Sequence, residues 1–103
     1  MSRLTAFREV RHVPDLTESM FPWGPKLEDG VFYVEDGSPY VGYNCPCGCG
    51  KVVILPTKKH QPDYNGWGFS ENNGKVTLSP SVLSAGFDCK SHYFIRDNKI
   101  DWC

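Results

Sequence analysis

Cys45, Cys47 and Cys49 alternate with single residues in the run NCPCGCG, and Cys89 and His92 follow later in CKSHYF. Thiolate sulfur and imidazole nitrogen are the donors zinc prefers, so ligands crowded this tightly point to a Zn2+ site. Five ligand-type side chains stand against the four places of a closed tetrahedral site, so the metal takes four of Cys45, Cys47, Cys49, Cys89 and His92. In an extended strand the three alternating sulfurs would lie about 6.5–7 Å apart on one face, too far for one ion. The chain must therefore turn through Pro46 and Gly48 to bring them to bond lengths of about 2.3 Å. Cys89-Lys90-Ser91-His92 has the two-residue gap that places two ligands on an ion from a turn leading into a strand. No CxxCxxC ladder is present and the CxH partner that a Rieske centre needs is missing, which disfavours an iron–sulfur cluster. Isolated cysteines are usually small buried apolar residues, but core packing would not select this clustered spacing.

The elements that position these side chains must come from a chain of 103 residues, enough for one domain over 1–103 with an adequate core that a metal clip would supplement. Glycine and proline are spread throughout, and apolar residues come in short runs separated by turn signals. That rhythm predicts a small all-β fold, a zinc-stabilised antiparallel sheet or barrel-like domain with little helix. Strands are expected over residues 7–12, 31–35, 40–44, 51–55, 67–70, 75–78, 92–96 and 99–102, most of them rich in β-branched and aromatic residues. Asp36-Gly37, Asp97-Asn98 and Asn73-Gly74 read as hairpin turns. Residues 14–26, with three prolines, read as a wrapping loop that holds at most a short helical turn near 16–20.

A net charge of −1, with eleven basic and twelve acidic residues interspersed, leaves no footprint for a phosphate backbone, so nucleic acid is disfavoured as a partner. No apolar run approaches the length that spans a bilayer, and MSRLTAFREV lacks the apolar stretch of a signal peptide. The expectation is a cytoplasmic protein without a membrane contact. In a reducing compartment, five cysteines fit metal ligation or catalysis better than a disulfide framework.

The runs YNCPCGCGKVVILP, GWGF, LSPSV and CKSHYFIRDNKIDW occur in that order. Over about residues 28–102 the chain resembles a bacterial and phage family of small proteins of unknown function, marked by CxCGCG, a downstream Trp, a Pro-Ser-Ile/Val step and CxSHYxI. The resemblance carries over Cys45, Cys47, Cys49, Trp67, Pro80, Ser81, Cys89, Ser91 and His92. It implies zinc binding. Some members are encoded beside genes for ubiquitin-like modifiers and their conjugation enzymes, which implies a peptidase or isopeptidase acting on such a modifier. If four cysteines close the zinc site, His92 is released as a general base, and Ser81 or Ser91 becomes a candidate nucleophile. Alternatively, three protein ligands and a water would leave zinc open to activate water, with Asp88 or Asp101 as base. Accumulated thiolate charge weakens the Lewis acidity of the ion, which ranks the serine–histidine version above the zinc–water one.

A second class of function is a non-catalytic structural-zinc module that binds a protein partner, through aromatic residues such as Trp23, Phe32, Tyr40, Tyr64 and Trp67. In so small a domain most of these rings are expected in the core. Ser79-Pro80-Ser81 reads as turn chemistry if it is not a nucleophile loop. His12 and His60 read as solvated surface residues, and Cys103, last in the sequence, could reach the cluster from the last strand but reads as a frayed end rather than a ligand.

Overall fold

The computed structural model describes residues 3–14, 16, 27–59, 65–83 and 89–103. They form eight strands: β1 (Glu9–Val13), β2 (Val31–Glu35), β3 (Tyr40–Asn44), β4 (Val52–Pro56), β5 (Gly68–Asn72), β6 (Lys75–Leu83), β7 (His92–Arg96) and β8 (Lys99–Trp102). No helix occurs among the described residues. The all-β expectation is met, and four of the strands have the expected bounds. Most of the expected helical turn near 16–20 lies outside the described residues.

Strands β1 to β4 make one four-stranded sheet and β5 to β8 the other, each in sequence order. Every pairing is antiparallel except the first: β1 runs parallel to β2, with Glu9 beside Val31 and Val13 beside Glu35. A parallel neighbour needs a long connection rather than a tight turn, and residues 14–30 separate β1 from β2 in the sequence. Asn73 and Gly74, and likewise Asp97 and Asn98, all have positive φ, the geometry of a two-residue type I′ turn whose twist matches the flanking strands.

Alternation along the strands sends one face of each sheet inward. Phe32, Val34, Val41, Tyr43, Val53 and Leu55 of the first sheet meet Val76, Leu78, Val82, Tyr93, Ile95 and Ile100 of the second in one buried core. Each such side chain contributes roughly 1.5–3 kcal/mol through lost apolar exposure. Strand β2 is buried on both faces, because Val31 and Tyr33 pack outward against Leu16 and Leu27. Tyr43 and Tyr93 bridge the sheets through a hydroxyl–hydroxyl hydrogen bond of 2.8 Å.

Isolated bridges join the sheets at both edges, Ala6 with Lys99 and Thr57 with Trp67. The eight strands thus close into a barrel-like ring, which removes most of the free edge that a pair of open sheets would expose.

Candidate active site and cysteine centre

The loop between β3 and β4 carries the first three cysteines. Its turn forms as the sequence requires: the Gly48 N–H donates to the Cys45 carbonyl at 3.1 Å, and the Cys45 N–H donates to the Lys51 carbonyl at 2.8 Å. Gly48 and Gly50 adopt φ of 90° and 84°, a region that disfavours any side chain, so these two glycines let the chain fold back on itself. Cys89 approaches from the residues before β7, where Lys90 takes the left-handed conformation with φ of 48°.

The sulfurs of Cys45, Cys47, Cys49 and Cys89 all lie within 4.8 Å of one another. Cys45 is 3.5 Å from Cys47 and 3.7 Å from Cys89, sulfur to sulfur. Tetrahedral bonds of about 2.3 Å to a zinc ion demand sulfur separations of about 3.8 Å, so four thiolates disposed like this fit such an ion. All five cysteines are free thiols, and Cys103 stays outside the group. Backbone N–H groups point at three of the sulfurs: Cys47 at Cys45, Lys51 at Cys49, and Ser91 at Cys89. Such donors offset the charge that thiolates accumulate around a metal. Burial pushes the Cys45 thiol up to about 12, while the Ser91 hydroxyl hydrogen bond brings Cys89 down to about 6.

His92, the fifth candidate ligand, does not join the sulfurs. Its Nε2 lies 2.8 Å from the Ser81 hydroxyl oxygen. The register explains the contact. Leu83 pairs with His92 and Val82 with Tyr93, so Val82 and Tyr93 face the core while Ser81 and His92 emerge together, as diagonal neighbours, on the opposite face. Both remain partly exposed.

Strand β6 is irregular at this point. Between the pairs Leu78–Ile95 and Val82–Tyr93, Ser79, Pro80 and Ser81 lie against Phe94 alone. Bulges of this kind re-aim side chains and recur beside active sites. The Ser79-Pro80 peptide is cis. The strand expected over 75–78 stops before Ser79-Pro80-Ser81, which reads as turn chemistry. Instead the bulge absorbs the proline and pairing resumes at Val82.

Ser91 is buried, and its hydroxyl donates to the Cys89 sulfur at 3.3 Å while the Cys45 sulfur lies 3.6 Å away. It is engaged with the sulfurs rather than with His92, unlike Ser81. Asp101 pairs with Phe94 and so shares the face of His92, but its carboxylate is taken by Arg96 at 3.3 Å. Asp88 lies outside the described residues, as do His60, Trp23 and Tyr64. Among the described residues no carboxylate hydrogen-bonds His92. Phe32 belongs to the core, and Tyr40 is exposed.

One arrangement had no signal in the sequence. His12, expected as a solvated residue, holds Asp36 through Nδ1 at 2.7 Å and Glu71 through Nε2 at 3.0 Å, linking β1 to the β2–β3 turn and to β5. These carboxylates raise its pKa, Glu71 more than Asp36.

No helix among the described residues is long and apolar enough to cross a membrane. No curated protein and no solved structure matches the chain. A family model, that of the bacterial ubiquitination-like system serine protease (BubE), matches residues 18–103. That span takes in the four cysteines together with Ser81 and His92, and the chain belongs to this family of bacterial ubiquitination-like system serine proteases.

Proposed function

We propose that this chain is a serine peptidase or isopeptidase that cleaves after a ubiquitin-like modifier, with Ser81 as nucleophile, His92 as general base and Cys45, Cys47, Cys49 and Cys89 holding a structural zinc ion. The observation that carries the reading is the 2.8 Å contact between Ser81 Oγ and His92 Nε2, on a face open to solvent. A serine hydroxyl is a poor nucleophile at neutral pH until a base within hydrogen-bond reach takes its proton.

As Ser81 Oγ attacks the scissile carbonyl carbon, its proton passes to His92 Nε2. The resulting imidazolium then protonates the departing amine, which leaves an acyl group on Ser81. Water, deprotonated by the same nitrogen, attacks that ester, and the proton returns to Ser81 as the C–O bond breaks. Zinc, when bound, supplies folding free energy to the loop and to the residues before β7 rather than chemistry. Four thiolates leave it no open coordination place for water.

The test is cleavage of a modifier–peptide fusion by wild-type protein and by Ser81→Ala, with labelling by a fluorophosphonate probe read by mass spectrometry. The reading expects label on Ser81 and a loss of at least about 10³-fold in kcat for Ser81→Ala. Undiminished cleavage by Ser81→Ala would overturn it.

A further inference from the structure

Ser81 lies where the hydrogen-bond ladder is interrupted on both sides. Towards β7, three residues of β6 stand against Phe94. Towards β5, the last pair is Gly68 with Ser79, and the next residue, Pro80, has no N–H to donate. A half-buried carbonyl in such a gap needs a donor from elsewhere, or its peptide plane is free to tilt. The Trp67 indole supplies that donor: its Nε1–H bonds to the Ser81 carbonyl at 3.2 Å.

The indole is itself firmly anchored. The Trp67 N–H donates to the Pro56 carbonyl at 2.9 Å, and its own carbonyl accepts from Lys58 N–H at 2.8 Å, so its backbone is stitched to the end of β4. Gly66 permits this approach, since a Cβ there would meet the Pro56 carbonyl oxygen at 2.6 Å. The ring also packs on the shared core. Trp67 is therefore an arm fixed on the first sheet that reaches the nucleophile on the second.

We propose that Trp67 is a positioning residue for the nucleophile: its indole N–H fixes the Ser81 peptide plane and thereby aims Oγ at His92 Nε2. This rests on the reading of Ser81 as nucleophile. Small displacements of a nucleophile carry large kinetic costs, about 10²-fold for 1 Å, without changing how substrate is held.

The test replaces Trp67 with β-(3-benzothienyl)alanine, which keeps the shape of the ring but has sulfur in place of N–H, and separately with 5-fluorotryptophan, which keeps the N–H. The expected result for the benzothienyl chain is a fall in kcat of about tenfold or more, with KM for the modifier fusion within about twofold. Fluorophosphonate labelling of Ser81 should slow in parallel, and the fluorotryptophan chain should recover both rates. In serine carbonyl-13C-labelled protein, the Ser81 signal should move upfield on loss of the N–H, a readout independent of activity. A benzothienyl chain with wild-type kcat, a change confined to KM, or an unmoved Ser81 carbonyl signal would overturn the inference. Failure of the probe to label wild-type Ser81 would overturn the nucleophile assignment and the inference with it.

Discussion

His92 stands three residues beyond Cys89, yet its imidazole turns away from the sulfurs to Ser81, with Nε2 2.8 Å from the hydroxyl oxygen. The strand that begins at His92 accounts for the separation. Tyr93 must point into the core, where its ring meets Tyr43 at 6.4 Å and Trp102 at 5.3 Å. With Tyr93 inward, His92 faces outward. Cys89 and Ser91, before the strand begins, stay with the cysteine loop.

Metal removal should unfold the domain rather than merely inactivate it. Cys45, the buried member of the cysteine group, joins the β3–β4 loop to Cys89 from a distant part of the sequence. Cys45→Ser is expected to lose stoichiometric zinc and at least about 3 kcal/mol of stability, or roughly 10–20 °C in Tm. Elemental analysis and thermal melts check this; an unchanged melt for the zinc-depleted protein would contradict it.

Ser91→Ala removes the hydroxyl that supports the Cys89 and Cys45 sulfurs without changing any ligand. Loss of an outer-sphere partner of this kind weakens metal affinity by about 10–100-fold. Competition with a chromophoric chelator measures it, and the variant should still be labelled by a fluorophosphonate at Ser81 when saturated with zinc. Abolished labelling in the zinc-saturated variant would mean that Ser91 acts in the chemistry itself.

The His12 link gives stability a defined pH dependence. Its pKa is raised in the folded state, so its contribution is fully present below the unfolded value of 6.5 and fades as pH rises through the folded value. The side chain is 46% exposed, which limits the contribution to about 0.2–1 kcal/mol. His12→Gln should therefore destabilise the protein in urea unfolding at pH 5.5 and leave it nearly unaffected at pH 9. An equal effect at both values would contradict the assignment.

Local chemistry explains which features were legible in the sequence. Val31–Glu35, Tyr40–Asn44, His92–Arg96 and Lys99–Trp102 follow from β-branched and aromatic runs bounded by turn dipeptides. The convergence of Cys45, Cys47, Cys49 and Cys89 follows from glycines placed where the chain must reverse. Legibility ends where the outcome depends on register. Alternation from the buried Leu78 sends Ser81 outward, but the two-residue shift of register between Leu78 and Val82, which sets Ser81 diagonal to His92, has no signal in Ser79-Pro80-Ser81. The parallel pairing of β1 and the bond from His12 to Glu71, fifty-nine residues away, join segments with no local cue between them. Trp67 resembles a core residue, and its bond to the Ser81 carbonyl comes from the ring closure between β4 and β5.

The central claim is that His92 serves Ser81 and not the metal, and the most direct test is His92→Ala measured for bound zinc and for cleavage of a modifier fusion in the same preparation. The account predicts stoichiometric zinc, a retained fold and a loss of at least about 10³-fold in kcat. Loss of zinc, or cleavage that continues at the wild-type rate, would contradict it.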